Sequence, residues 1–229
     1  MAVSSQAAPQ NFLDGKTRRS VNKIIEKFKF QPNPNSCLPN GLYNILNELA
    51  RLHTVNALGF SEAKVNKICL YKSPTGPDLN NYLRRLNNEI KSLGYIAIEK
   101  PNSTYNQLST VLEDTDCSYP LIVLSSKYLE DELQIKLPNV TEFGYADHVV
   151  VLLLSDKYKS VIFDPYAGIN IKIGQNQQGL NRGIALLSTS RLTELWEEAF
   201  DMSCMIWIKK EKNKSGELDR YFNNSEIPK

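Results

Sequence analysis

The chain has 229 residues, 41% hydrophobic and 23% charged, and its 27 Lys and Arg nearly balance its 25 Asp and Glu to leave a net charge of +2. That length and mix describe a globular chain with a substantial core, not a disordered one, and they lack the basic excess of a nucleic-acid binder. The longest clear apolar run, 149–154, falls far short of the roughly 20 residues needed to cross a bilayer, so no integral membrane segment is expected.

Residues 1–16 are small and polar and read as a flexible leader without the basic-then-apolar plan of a secretory signal. A cytoplasmic location with reduced thiols is the expectation. Val21, Ile24, Ile25 and Phe28 recur at helical spacing with Ser20 as N-cap, and Lys and Arg crowd the other face. This basic helix at 16–29 packs on the domain or docks on a partner. The Pro/Asn stretch 31–36 cannot be regular helix. Leu38, Leu42, Ile45, Leu46, Leu49 and Leu52 then predict an amphipathic helix, with Ser36 as N-cap and Cys37 as its first residue.

A second strong helix is predicted over 78–93 and ended by Gly94, followed by a strand at 95–98 and a short helix at 105–112. The second half alternates apolar residues in short runs. Strands are predicted at 120–124, 133–137, 148–154, 160–163 and 205–208, with a further alternating stretch at 168–174. Residues 155–159 read as a hairpin loop and 175–183 as an exposed Gln/Asn/Gly-rich loop. Residues 190–200 read as a helix whose apolar face is Leu192, Leu195, Trp196 and Phe200. Helices first and an antiparallel sheet afterwards make an α+β layout, one domain over 17–208 with a charged tail at 209–229.

Two histidines and four scattered cysteines limit the chemistry. No CxxC spacing supports a structural zinc site, and no metal or cofactor is expected. Cys37 stands where a helix N-terminus stabilises a thiolate. Cys69, Cys117 and Cys204 sit beside apolar sequence, as structural thiols do. His148 opens the most apolar strand. A tight hairpin centred near Asp156 puts it opposite Asp164 or Pro165, where a carboxylate can hold one ring nitrogen. A one-residue slip would turn the two side chains to opposite faces. Gln31, six residues before Cys37, can offer an amide donor beside the Cys37 N–H. His53 lies about 24 Å along the helix from Cys37, at 1.5 Å per residue, and is a poor competitor for the base.

Four pieces together carry a resemblance: Gln31-Pro-Asn-Pro-Asn-Ser-Cys37-Leu-Pro-Asn-Gly-Leu-Tyr-Asn-Ile-Leu46, Tyr119-Pro-Leu-Ile-Val-Leu124, His148-Val-Val-Val-Leu-Leu-Leu154 and Val161-Ile-Phe-Asp-Pro-Tyr-Ala-Gly168. They resemble a papain-like cysteine peptidase, most nearly the peptidase C39-like group, whose better-known members cut double-glycine leader peptides. The resemblance spans about 28–208. It implies a papain-like fold, with the Cys-bearing helix packed on an antiparallel sheet, to which this sequence adds a helical insertion at about 55–115. It also implies a peptide or protein substrate. Carried over, Gln31 is the oxyanion donor, Cys37 the nucleophile, His148 the general base and acid, and Asp164 the orienting residue. Acyltransferases, deamidases and transglutaminase-like enzymes use the same set of groups. A non-catalytic peptide-binding module of the same fold is the remaining alternative.

Overall fold

A computed structural model describes residues 15–33, 35–72, 76–133, 147–168, 182–200 and 202–211. The predicted strand at 133–137, apart from its first residue, lies outside these, as do nearly all of the stretches at 168–174 and 175–183 and most of the leader and tail.

The described residues mix helices with one antiparallel sheet. Six helices, α1 (Gly15–Ile25), α2 (Cys37–Leu52), α3 (Glu62–Ile68), α4 (Tyr82–Ile90), α5 (Tyr105–Glu113) and α6 (Thr189–Glu197), surround six strands. The strands are β1 (Tyr95–Lys100), β2 (Leu121–Leu124), β3 (His148–Ser155), β4 (Lys159–Phe163), β5 (Ile184–Ser188) and β6 (Met205–Lys210). Their order across the sheet is β1-β6-β2-β3-β4-β5, every neighbouring pair antiparallel.

Strand alternation splits the core in two. Val149, Val151, Phe163 and Ile206 face one way, where Leu38, Leu42, Ile45 and Leu49 of α2 cover them together with α1, α3 and α4. Val150, Leu152, Ile162 and Trp207 face the other way, under α5 and α6. Helix α2 crosses its face closely at Gly41, where a Cβ would come within 3.0 Å of a Leu121 methyl. A side chain there would hold the helix away from the strands.

Several expectations shift. Helix α1 begins ahead of Ser20, so Ser20 is an exposed interior residue and not its cap. The apolar side chains of α1, Val21 and Ile25, are buried in the core, while Lys23 and Lys27 are exposed. Helix α4 starts four residues later than 78, because Asp78 is occupied otherwise: its Oδ1 accepts from Asn80 N at 3.0 Å and its carboxylate pairs with Arg85. Gly94, at φ 79°, ends the segment as expected. Phe200 is not on the apolar face of α6, which stops at Glu197; it is 77% exposed. Strand β5 and helix α3 were not anticipated. No helix among the described residues is long and apolar enough to cross a membrane.

The β3–β4 register also differs from the expected one. Asp156 N bonds Lys159 O at 2.9 Å, so the turn centres between Lys157 and Tyr158, later than Asp156. A bulge at Leu153 then shifts the ladder again, leaving Val151 opposite Phe163 and Leu152 opposite Ile162. Continued to the strand ends, this register makes His148 and Asp164 diagonal and not directly opposed. Diagonal neighbours still lie within reach of long side chains.

Candidate active site

The N-terminus of α2 is shaped by what precedes it. Pro32 keeps the chain irregular, while Pro39 sits within the first turn, where its missing N–H costs no hydrogen bond. Ser36 does not cap the helix. Its Oγ donates to Asn33 O at 2.7 Å and accepts from Asn33 N at 3.3 Å, closing the loop below. No acidic residue occupies the first turn of α2. The positive end of the helix therefore acts on the Cys37 sulfur and not on a capping carboxylate.

Cys37 is half-buried and His148 fully buried. His148 Nε2 meets Asp164 Oδ1 at 2.8 Å. With Nε2 so engaged, Nδ1 is the nitrogen left for the Cys37 sulfur, which is near enough for His148 to lower its pKa. Burial alone pushes the Cys37 thiol up. The hydrogen bond and charge of His148, with the Val149 and Leu38 N–H groups, outweigh it and bring the thiol below its usual 9.0. For His148, burial pulls the imidazole down. The Asp164 carboxylate overrides it, with help from Cys37, and lifts it from 6.5 to about 10. Both directions favour a thiolate–imidazolium pair at neutral pH.

Asp164 has no solvent exposure. Burying a carboxylate costs several kcal/mol unless it is paired and hydrogen-bonded. Three donors supply this: His148 Nε2, the Tyr166 N–H at 2.7 Å to Oδ1, and the Tyr128 hydroxyl at 2.9 Å to Oδ2. Its own N–H bonds Gly183 O at 2.7 Å. Gly183 has φ +90°, and a Cβ there would lie 2.7 Å from the Phe163 and Phe30 rings, so only glycine fits behind Asp164.

Gln31 is also brought to this end of the sheet. It is 1% exposed, its N–H bonds Pro165 O at 2.9 Å and its Nε2 donates to Asn33 O at 2.8 Å. The segment carrying it is gripped by Asn44, one helical face along from Cys37. Asn44 Oδ1 accepts from Lys29 N at 2.8 Å, and Nδ2 donates to Lys29 O at 2.9 Å and to Asn40 Oδ1 at 3.0 Å. Reading the residues alone missed Asn44 and Tyr128. A signal for Asn44 existed: Cys37, Asn40, Asn44 and Glu48 recur at intervals of three or four on an otherwise apolar helix, and the last three are buried. Tyr128 carries no such signal.

The remaining cysteines are of another kind. Burial pushes Cys69 and Cys117 up to about 12. Cys204 is buried, its sulfur 3.9 Å from Glu99 Oε1. Among the described residues, no cluster of His, Cys, Asp and Glu is placed to hold a metal ion.

No protein-family model matches the chain, and no curated protein matches it. Among solved structures it is similar to a double glycine motif protease from an AMS/PCAT transporter in complex with the leader peptide. The two chains are 14% identical, the match covers 79% of this chain and 89% of that chain, and the TM-score is 0.44.

Proposed function

We propose that the protein is a papain-like, cysteine-dependent hydrolase of peptide or amide bonds. The observation that supports this is His148 bonded through Nε2 to the buried Asp164 carboxylate and acting on the half-buried Cys37, with the thiol shifted down and the imidazole shifted up. In this reading the Cys37 thiolate attacks the substrate carbonyl carbon. The oxyanion that forms is met by the Cys37 N–H, which as the first helical donor has no acceptor within the helix, and by the Gln31 side-chain amide. His148 gives its Nδ1 proton to the leaving amine as the tetrahedral intermediate collapses to a thioester. The neutral imidazole then takes a proton from water, whose oxygen attacks the thioester carbonyl. Collapse releases the acid and restores the thiolate–imidazolium pair. Asp164 holds the ring by Nε2 throughout and stabilises its charged form.

The test combines chemistry with labelling. Mass spectrometry of a peptide library incubated with the wild-type protein should show cleavage, and Cys37→Ala should show none. Iodoacetamide at neutral pH should label Cys37 well before Cys69 and Cys117. Cleavage surviving in Cys37→Ala, or equal labelling of the three thiols, would sink the reading. Adding primary amines to the same mixtures separates hydrolysis from acyl transfer, since transfer would yield amide products in place of acids.

A further inference from the structure

The turn after β2 carries a side chain whose chemistry reaches the site from outside the expected set. Ser125 N bonds Leu195 O at 2.9 Å, and Tyr128–Glu132 then form one π-helical turn, a rare conformation often found at functional sites. Helix α6 pins this turn from the surface. Arg191 reaches Asp131 Oδ2 at 2.6 Å and Glu132 Oε1 at 3.0 Å, and Lys127 Nζ reaches Glu198 at 2.8 Å. The turn drives Tyr128 inward, where it is fully buried.

Two contacts follow from that placement. The phenol donates to Asp164 Oδ2 at 2.9 Å, while its ring lies parallel to the His148 ring, 6° apart with centroids at 6.0 Å. The other oxygen of Asp164 serves His148 Nε2 and the Tyr166 N–H. Tyr128 is thus the hydroxyl donor on the second oxygen. Burial, and then the neighbouring Asp164 charge, hold its own pKa well above the ordinary 10.0, so it stays a donor over the working pH range.

We infer that Tyr128 is a positioning residue for the Cys37–His148 pair, its hydroxyl holding the second oxygen of Asp164 and its ring fixing the plane of His148. This rests on the thiol-hydrolase reading above. A buried carboxylate oxygen that loses its donor bears the full desolvation penalty. Without the phenol, Asp164 holds charge less well and the Nε2 proton moves toward it. The imidazole is then held less firmly in its charged form, and the thiolate loses part of its counter-charge. The titratable groups bearing on the pair are Cys37 from α2, Asp164 and Tyr166 after β4, and Tyr128 and Glu132 from the π-helical turn.

The test is the pH profile of Cys37 alkylation by iodoacetamide, followed on the Cys37 peptide by mass spectrometry, together with the 15N resonances of the two histidines. In the wild-type protein the alkylation limb should lie below the ordinary thiol range and His148 should carry two ring protons at neutral pH. Tyr128→Phe, which keeps the ring, should move the limb up by roughly one unit and lower the pH at which His148 loses its second ring proton, lowering kcat more than it raises KM. 3-Fluorotyrosine at position 128, a stronger donor of nearly the same size, should move the limb down, and it serves where the Phe variant does not fold. A wild-type limb at or above the ordinary thiol value overturns the hydrolase reading and this inference with it. A depressed wild-type limb that neither substitution moves overturns the role of Tyr128 alone.

Discussion

The two ends of α2 each hold a histidine, and they use the same ring differently. At the N-terminal end, His148 gives Nε2 to a buried carboxylate at 2.8 Å and lies against a thiol. At the C-terminal end, the cap residue His53 pairs Nδ1 with the Tyr95 hydroxyl at 2.8 Å and Nε2 with Thr115 O at 3.0 Å. Each ring stacks on a tyrosine, His148 on Tyr128 and His53 on Tyr95. Both are well bonded, so hydrogen bonding and stacking do not separate them. The difference lies in the partners. A carboxylate favours imidazolium, whereas a phenol and a carbonyl bring no net charge. His53 instead ties the end of α2 to β1 and to the segment before β2. On the proposed function, a bonded, stacked histidine such as His53 is a clasp, and His148 is a base because a buried charge and a reactive group flank it.

The sharpest way to break the comparison is to take the charge from His148 while keeping its hydrogen bond. Asp164→Asn should lower turnover by about 10²–10⁴-fold and return the Cys37 alkylation limb toward the ordinary thiol range. Retention of full turnover would show that the carboxylate does not distinguish the two rings.

In the proposed mechanism Gln31 is an oxyanion donor whose removal leaves the pair intact, so Gln31→Ala should cost about 10²–10³ in kcat while the alkylation profile of Cys37 stays in place. A shift of both would mean that Gln31 acts by holding the loop around Asn33 and Pro165.

The pH dependence of stability probes the coupling itself. The folded pKa of His148 is raised, so its contribution is present below 6.5 and is lost as pH rises toward about 10. The folded pKa of Cys37 is lowered, so its contribution is present above 9.0 and is lost as pH falls through the folded value. In the wild-type protein the two slopes oppose each other wherever the Cys37 thiol is ionised in the folded state and protonated in the unfolded one, so the unfolding free energy should vary less with pH there than the His148 slope alone would give. In Cys37→Ala only the His148 slope remains, and stability should fall as pH rises above 6.5. Urea titrations at several pH values decide it; equal slopes in the two proteins would mean the ion pair does not form.

The smallest expected effect is at the other end of the helix. His53→Ala should leave turnover within about twofold and cost about 1–3 kcal/mol of stability through two lost bonds, read by urea unfolding. A large loss of turnover would mean that the two ends of α2 are not independent.

Much of the placement of Cys37, His148 and Asp164 is legible in the sequence. Cys37 was marked by its place between a Pro-rich stretch and an amphipathic helix, and His148 by opening the most apolar strand. Hairpin counting leads to Asp164, but with the register off, because the turn centres between Lys157 and Tyr158 and the bulge at Leu153 takes back only one residue of that shift, neither being written in any local pattern. The pair meets anyway, since a diagonal contact tolerates the shift. Phe200 was misread because helical spacing cannot show where a helix ends: α6 stops at Glu197, and the chain turns so that Phe200 N bonds Asp147 Oδ2 at 2.6 Å.

The sequence by itself determined the local preferences: where helices and strands can form, which faces are apolar, and that only one of two histidines stands away from the Cys37 helix. These follow from periodicity and backbone chemistry over a few residues. Only the tertiary structure decided what those residues become. It joined the β2 turn to the β4 end, so that Tyr128 meets Asp164 across 36 positions of chain. It also seated Asn44 against Lys29, and excluded water around the carboxylate. Proton affinities depend on burial and on charges a few ångströms away, and those distances are set by packing between elements that no local stretch of sequence encodes.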